Sequence, residues 1–343
     1  MIRPSSPLTM LLSRHTRRRE FITLLGGAAA WPLAARAQQP ERMRRIGVLM
    51  YGDENDYDYK ARLSGFMQSL AQSGWADGRN LLVDVRWTAA NLDLVRRYAK
   101  ELVALKPDVL VATSTPVTAA FQYETPAIPV VFVGISDPVG AGFVANLARP
   151  SGNLTGFINI EAGMGGKWLE LLNEIAPGIQ RAAIMFSPDT TTAAYYMPSL
   201  EAAARSLGVT PVAAPVRSDA DIETAITMLG REPGGSLILP PDGFTTAHRG
   251  LIISLAEQAH VPFVAAVASL AREGGLLSYG PDSMDIYRHA ASYVDRILRG
   301  TKPAALPVQL PVKFEMIVNA KTAKALGLRL PQSILLRADE VIE

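Results

Sequence analysis

Beyond about residue 44 the chain alternates short β-branched apolar runs with longer stretches whose apolar residues recur every three or four positions. In the first half this predicts strands at residues 45–51, 81–87, 108–113 and 129–134. Helices are predicted between them, at 59–72, 92–105 and 116–122. The runs DVLVAT and IPVVFVG are apolar without alternation, as strands covered on both faces are, so a parallel sheet with right-handed crossovers is expected.

The pattern then resets. NLTGFIN, at 153–159, reads as an extended link, and 166–176 as a helix ending at Pro177-Gly178. A second series follows, with strands at 181–187, 210–216, 236–240 and 261–267 and helices at 193–207, 220–229 and 245–260. The halves agree in element order more than in residue identity, which makes this an architectural duplication. LLSY at 276–279, a helix at 284–299, the extended ALPVQLPVKFEMIVN, a short helix at 320–326 and a polar-ended tail complete the chain. The expected fold class is α/β, with two doubly wound parallel-sheet lobes. One lobe comprises residues 44–154 plus 282–306, the other 160–275 plus 319–343. Hinge strands near 153–159, 276–281 and 306–318 join them, and two lobes on a hinge form a cleft that closes on a ligand.

Composition sharpens this picture at the N-terminus. Arg14, Arg17, Arg18 and Arg19 precede a modest apolar stretch from Phe21 to Leu33, and Ala35-Arg36-Ala37 supplies a small-x-small cleavage site. Residues 1–37 therefore read as an export signal. At about 13 residues, broken by Gly26, Gly27 and Pro32, the stretch is shorter than the roughly 20 residues a membrane helix needs. Arg18-Arg19-Glu20-Phe21 resembles the twin-arginine export motif, with Arg17 where Ser or Thr is usual, so the general secretory route stays open. Removing six Arg and one Glu with the signal leaves 28 basic against 31 acidic residues, net −3. The basic excess belongs to the signal, and nucleic acid is not an expected partner. The sequence has no cysteine, which excludes disulfides, thiolate metal sites, a cysteine nucleophile and an N-terminal lipidated cysteine. A monomeric periplasmic protein without a lipid anchor is expected.

Catalytic templates fail one by one. Gly140-Ala141-Gly142-Phe143-Val144-Ala145 has dinucleotide-binding spacing but follows the fourth strand instead of the first. Gly165-Gly166-Lys167 is followed by Trp168 where a phosphate loop needs Ser or Thr, and Pro138 ends any nucleophile elbow at Ser136. His248, His260 and His289 have no ligand partners at metal spacing, and His260 reads as a helix C-terminal dipole partner. No catalytic residue, cofactor or metal is expected.

Ligands of open parallel sheets bind beyond the carboxyl ends of the strands. The first strand ends in Tyr51-Gly52-Asp53, the third in Thr113-Ser114-Thr115-Pro116 and the fourth in Gly134-Ile135-Ser136-Asp137. The Thr113–Thr115 turn opens a helix and reads equally as a carboxylate receptor or a plain N-cap. Asp137 reads equally as an ammonium partner or a local cap. The second lobe contributes Ser187 and Thr191, then Tyr195 one turn later, Asp242, and Tyr279 on the late strand. Hydroxyls and carboxylates fix a polar head while rings cover an apolar body, as in small-molecule clefts.

RIGVLMYGD, GWADGRNLLVDVRW, DVLVATSTP, IPVVFVGISDPVGAGFV with LARPSGNLTGF, and GGLLSYGPD with LPVQLPVKFEMIVNAKTAKALGL span almost the whole chain beyond the signal. Together they resemble the substrate-binding proteins of ABC transporters, of the type I periplasmic class, and among these the group with tryptophan- and tyrosine-binding members. The resemblance implies capture of a small solute, delivery to an inner-membrane ABC permease, and cleft-facing Thr113, Ser114, Thr115, Ser136, Asp137, Asp242 and Tyr279. Glu54-Asn55-Asp56-Tyr57 and Thr190-Thr191-Thr192 look individual to this chain, so tryptophan is not carried over as the ligand; a carboxylated or amino-acid-like solute is expected. The rival expectations are an exported α/β hydrolase or nucleoside-processing enzyme using Asp137 or Asp242, and a sensor domain for a membrane signalling partner.

Overall fold

The computed structural model describes residues 43–150, 152–191 and 193–343; the expected signal at 1–37 lies outside the described residues. Two sheets organise the chain. The first has five strands in the order β2-β1-β3-β4-β5, all parallel: β1 Arg44–Met50, β2 Leu81–Trp87, β3 Val109–Ala112, β4 Val130–Ile135 and β5 Leu154–Ile158. Every residue of β3 and β5 is buried, as unalternating apolar runs require when helices cover both faces. On one face Ile46, Val48 and Met50 pack with Tyr59, Phe66 and Leu70 of α1 (Tyr57–Gln72). On the other, Leu49 and Leu110 meet Val95 and Leu102 of α2 (Leu92–Ala104) and Val117 and Phe121 of α3 (Thr115–Glu124).

The second sheet has seven strands in the order β12-β11-β10-β9-β8-β6-β7: β6 Arg181–Phe186, β7 Thr210–Pro215, β8 Gly235–Leu239, β9 Phe263–Ala265, β10 Leu277–Pro281, β11 Phe314–Asn319 and β12 Glu340–Ile342. Its core lies on both faces. Trp168 and Leu172 of α4 (Met164–Ile175) and Tyr196 and Leu200 of α5 (Ala193–Leu207) fill one. Ile222 and Ile226 of α6 (Asp219–Arg231) and Ile252 of the later helix Arg249–Gln258 fill the other. β11 runs antiparallel to β10, with Tyr279 opposite Met316, because the chain re-enters this sheet from the other lobe in the reverse direction.

Three details differ from the periodicity. The predicted helix 245–260 is two, α7 (Gly243–Ala247) and α8 (Arg249–Gln258), parted at His248. The His248 ring bonds the Phe244 carbonyl at 2.8 Å and stacks on the Phe244 ring, filling the break. A short helix, α9 (Ala268–Arg272), follows β9 unforeseen, and after α11 (Ala320–Ala325) the tail folds into α12 (Gln332–Arg337) and β12.

Between β10 and β11 the chain visits the first lobe. α10 (Ser283–Leu298) lies beside α1, placing Ile286, Tyr287, Ala290 and Val294 in the first lobe's core. Its start is set by Asp282, which accepts from the Asp285 N–H at 3.1 Å and from Lys313 Nζ at 2.9 Å. The chain thus passes between the sheets after β5, after β10 and before β11, where Gln309 pairs with Phe157. No described helix is long and apolar enough to cross a membrane.

Candidate functional site

The carboxyl ends of β1, β3, β4, β6, β8 and β9 converge on a cavity of about 90 Å³ between the lobes. Tyr51, Tyr59, Arg62, Thr113, Ser114, Thr115, Ser136 and Tyr287 line it from the first lobe, and Thr190, Asp242, Gly243, Thr246 and Val267 from the second. Asn159, on a crossing segment, and Ser283, at the start of α10, complete the polar lining.

Hydrogen bonds to the backbone hold this wall. The Thr113 hydroxyl accepts from the Tyr51 N–H at 2.9 Å and donates to the Leu49 carbonyl at 3.0 Å, tying the ends of β1 and β3 together. The Thr88 hydroxyl donates to the Tyr51 carbonyl at 2.9 Å. Ser114 caps α3 by accepting from the Val117 N–H at 3.4 Å, and Pro116 brings no N–H of its own. The Tyr51 ring crosses to the other lobe and lies against Gly243. A Cβ there would sit 2.6 Å from the ring, so glycine is what permits this approach.

Two charged side chains line the cavity. Burial pushes the Asp242 carboxyl above the usual aspartate range, against the Thr190 hydroxyl and the N–H groups of Thr245 and Ser187, which pull it down. The Thr245 N–H donates to Oδ1 at 2.8 Å and the Ser187 N–H to Oδ2 at 3.0 Å, while the Thr190 hydroxyl also bonds Oδ2. Asp242 is therefore the lock that joins the loops after β6 and β8. Arg62 stacks over the Tyr59 ring at 4.9 Å and forms no ion pair among the described residues. The phenols are neutral donors: burial raises Tyr51 and Tyr59 and pushes Tyr287 up to about 12.

The lobes also bond directly. Arg249 of the second lobe donates from Nη1 to Asp56 Oδ2, at the start of α1, at 2.6 Å, and from Nε to Glu273 Oε1 at 2.8 Å. Deeper in, the Tyr196 hydroxyl donates to Ser136 Oγ at 2.7 Å, and Ser136 donates to Asn159 Oδ1 at 3.0 Å. Asn159 Nδ2 in turn donates to the Gly134 carbonyl at 3.0 Å.

Of the residues singled out from the sequence, Tyr51, Thr113, Ser114, Thr115, Ser136 and Asp242 line the cavity. Six do not. Asp53 is exposed and accepts from the Asn55 N–H, and Asp137 accepts from the Gly140 N–H at 2.7 Å, so both act as caps of their own turns. Ser187 and Thr191 belong to the turn behind Thr190. Tyr195 donates to the Ile160 carbonyl at 3.3 Å and packs edge-on to Tyr196, while Tyr279 packs beside Phe314. Tyr59, Arg62 and Tyr287 were missed because they sit on helix faces rather than strand ends. The one sequence signal is a cation at the buried edge of α1, between Tyr59 and Phe66. Among the described residues no cluster of His, Asp and Glu is arranged to hold a metal ion.

Known proteins resemble this chain in sequence and fold. A crystal structure of a conserved domain protein from Vibrio cholerae matches with a TM-score of 0.81 at 28% identity, over 88% of this chain and 100% of that one. The ABC domain from Streptococcus pneumoniae in complex with L-Trp matches with a TM-score of 0.80 at 25% identity, over 87% of this chain and 99% of that one. The "Tyrosine-binding protein" of Clostridioides difficile strain R20291 is 24% identical over 292 residues, 84% of this chain and 82% of that one. The lobes are those of the type I periplasmic binding proteins. The family model for ABC transporter substrate binding proteins matches residues 51–342, almost everything built around the cavity, and the chain belongs to that family.

Proposed function

We propose that the protein is the exported solute receptor of an ABC importer. It closes its two lobes over a small carboxylated or amino-acid-like molecule and hands it, chemically unaltered, to a permease in the inner membrane. The observation that carries this is the cavity: a polar pocket with aromatic walls, lined from both lobes, at the strand ends where α/β sheets take ligands. The L-Trp complex and the tyrosine-binding relative support an amino-acid-like solute. The lining has no histidine, and its one carboxylate, Asp242, is bonded to two backbone N–H groups and the Thr190 hydroxyl, as a residue that fixes two loops would be.

Tyr51, Tyr59, Arg62, Thr115 and Tyr287 make the first lobe's contacts with the solute, and Thr190 and Thr246 those of the second. Asp137, which caps its own turn, and Tyr195, which bonds the Ile160 carbonyl, have no part in binding. The segments after β5, after β10 and before β11 serve as the hinge. The protein works as a monomer in the periplasm, reached by the twin-arginine route and without a lipid anchor.

The test is calorimetric titration of the purified protein with tyrosine, tryptophan and a metabolite panel, followed by mass spectrometry of the recovered compound. Saturable 1:1 binding with the compound returned intact is expected. A converted product, or no binding to any member, would refute the receptor role.

A further inference from the structure

Resting on the receptor role proposed above, we infer that the anionic group of the solute is held by Arg62 and that the solute is therefore an anion such as a carboxylate. Arg62 stands on the wall between the central cavity and a second chamber of about 230 Å³; Val267 and Ser283 also line both. An engineered cavity of about 150 Å³ accommodates benzene, so the central cavity of about 90 Å³ is too small alone for a solute carrying a ring. A solute with a body of that size extends past Arg62 into the second chamber.

The hydrogen-bond inventory then decides where its negative charge rests. Two other arginines near the cleft, Arg249 and Arg272, each pair with two carboxylates: Asp56 and Glu273, and Glu315 and Glu340. Arg62 has neither an ion pair nor a hydrogen bond among the described residues. Its guanidinium lies over the Tyr59 ring at 4.9 Å, and its N–H groups, without a partner among the described residues, are free for the fork geometry that matches a carboxylate.

Two hydroxyls of the first lobe's wall are occupied. The Thr113 hydroxyl lies between Tyr51 and Leu49, and the Ser114 hydroxyl caps Val117. In the second chamber Asp282 is paired with Lys313 and Glu315 with Arg272, while Asp58, one turn before Arg62, forms no ion pair with it.

A panel of carboxylates with and without an α-amine, their decarboxylated amines, neutral sugars and nucleosides is screened by thermal shift on wild type, Arg62→Gln and Thr115→Val. Hits are then titrated by calorimetry. Wild-type hits are expected to carry an anionic group. Arg62→Gln should weaken them by about ten- to a hundredfold with its own melting temperature near wild type, and Arg62→Lys should restore part of the loss. Hits without an anionic group overturn the inference and leave the receptor role standing. So do anionic hits that lose affinity on Thr115→Val but not on Arg62→Gln. Absence of any hit for wild type overturns both.

Discussion

Replacing Arg249 by Gln should weaken solute binding without removing a side chain that lines the cavity. Arg249 is absent from the lining, yet it joins the lobes through Asp56, whose side chain is 12% exposed against 16% for the arginine. That burial sets the pair apart from surface ion pairs, which contribute about 0–1 kcal/mol. A hydrogen bond to a charged group contributes about 1.5–3 kcal/mol. The arginine's other bonds, to Glu273 and to the Thr246 carbonyl, stay within the second lobe and do not favour closure. Asp56 keeps its capping bonds to the N–H groups of Asp58 and Tyr59, so α1 remains formed. A loss of about 2 kcal/mol from the closed arrangement alone weakens the apparent affinity by up to about thirtyfold, because the apparent affinity scales with the fraction of protein that is binding-competent. Calorimetry with a solute that binds wild type gives the affinity, and small-angle scattering of the ligand-free protein reports a larger radius of gyration as the lobes part. An affinity within threefold of wild type, with unchanged scattering, would show that the bond does not bias closure.

Gly243→Ala puts a methyl 2.6 Å from the Tyr51 ring, whose backbone is fixed by Thr113 and Thr88. Binding should fall more than about tenfold while each lobe stays folded, read by calorimetry beside circular dichroism; wild-type affinity would mean that the ring moves aside at no cost. At Asp282 burial pushes the carboxyl up, but Lys313 and the first N–H groups of α10 outweigh it and hold it below the usual aspartate range. Its contribution is therefore present above the ordinary aspartate pKa of about 3.9 and is lost as pH falls through the lower folded value. Acid melting curves should show wild type losing stability more steeply than Asp282→Asn, and parallel curves would contradict the assignment. Changing Arg18-Arg19 to Lys-Lys should leave precursor in the cytoplasm, as immunoblots of cell fractions would show; normal export would exclude the twin-arginine route.

What the chain reveals before folding is what depends on neighbours in sequence. Strand β2 was predicted at its observed bounds, and β1, β3 and β4 to within about a residue at each end, because unbroken apolar runs between turn residues leave little alternative for strands covered on both faces. The cavity residues at strand ends, Tyr51, Thr113, Ser114, Thr115, Ser136 and Asp242, were equally legible, since parallel strands bring their carboxyl ends to one edge. Tertiary structure decided everything that depends on which groups meet. Asp137 and Asp242 look alike as loop carboxylates, yet one accepts from the Gly140 N–H of its own turn and the other joins two loops across the second lobe. Arg62, four residues after Asp58, reads locally as half of a helical ion pair, yet it stands over Tyr59 on the cavity wall with no such pair. α10 follows a strand of the second lobe and fills the core of the first. Hydrophobic period and turn chemistry are local and can be read along the chain, whereas the partner of a charge is set by contacts between residues tens to hundreds of positions apart, which exist only once the lobes have packed.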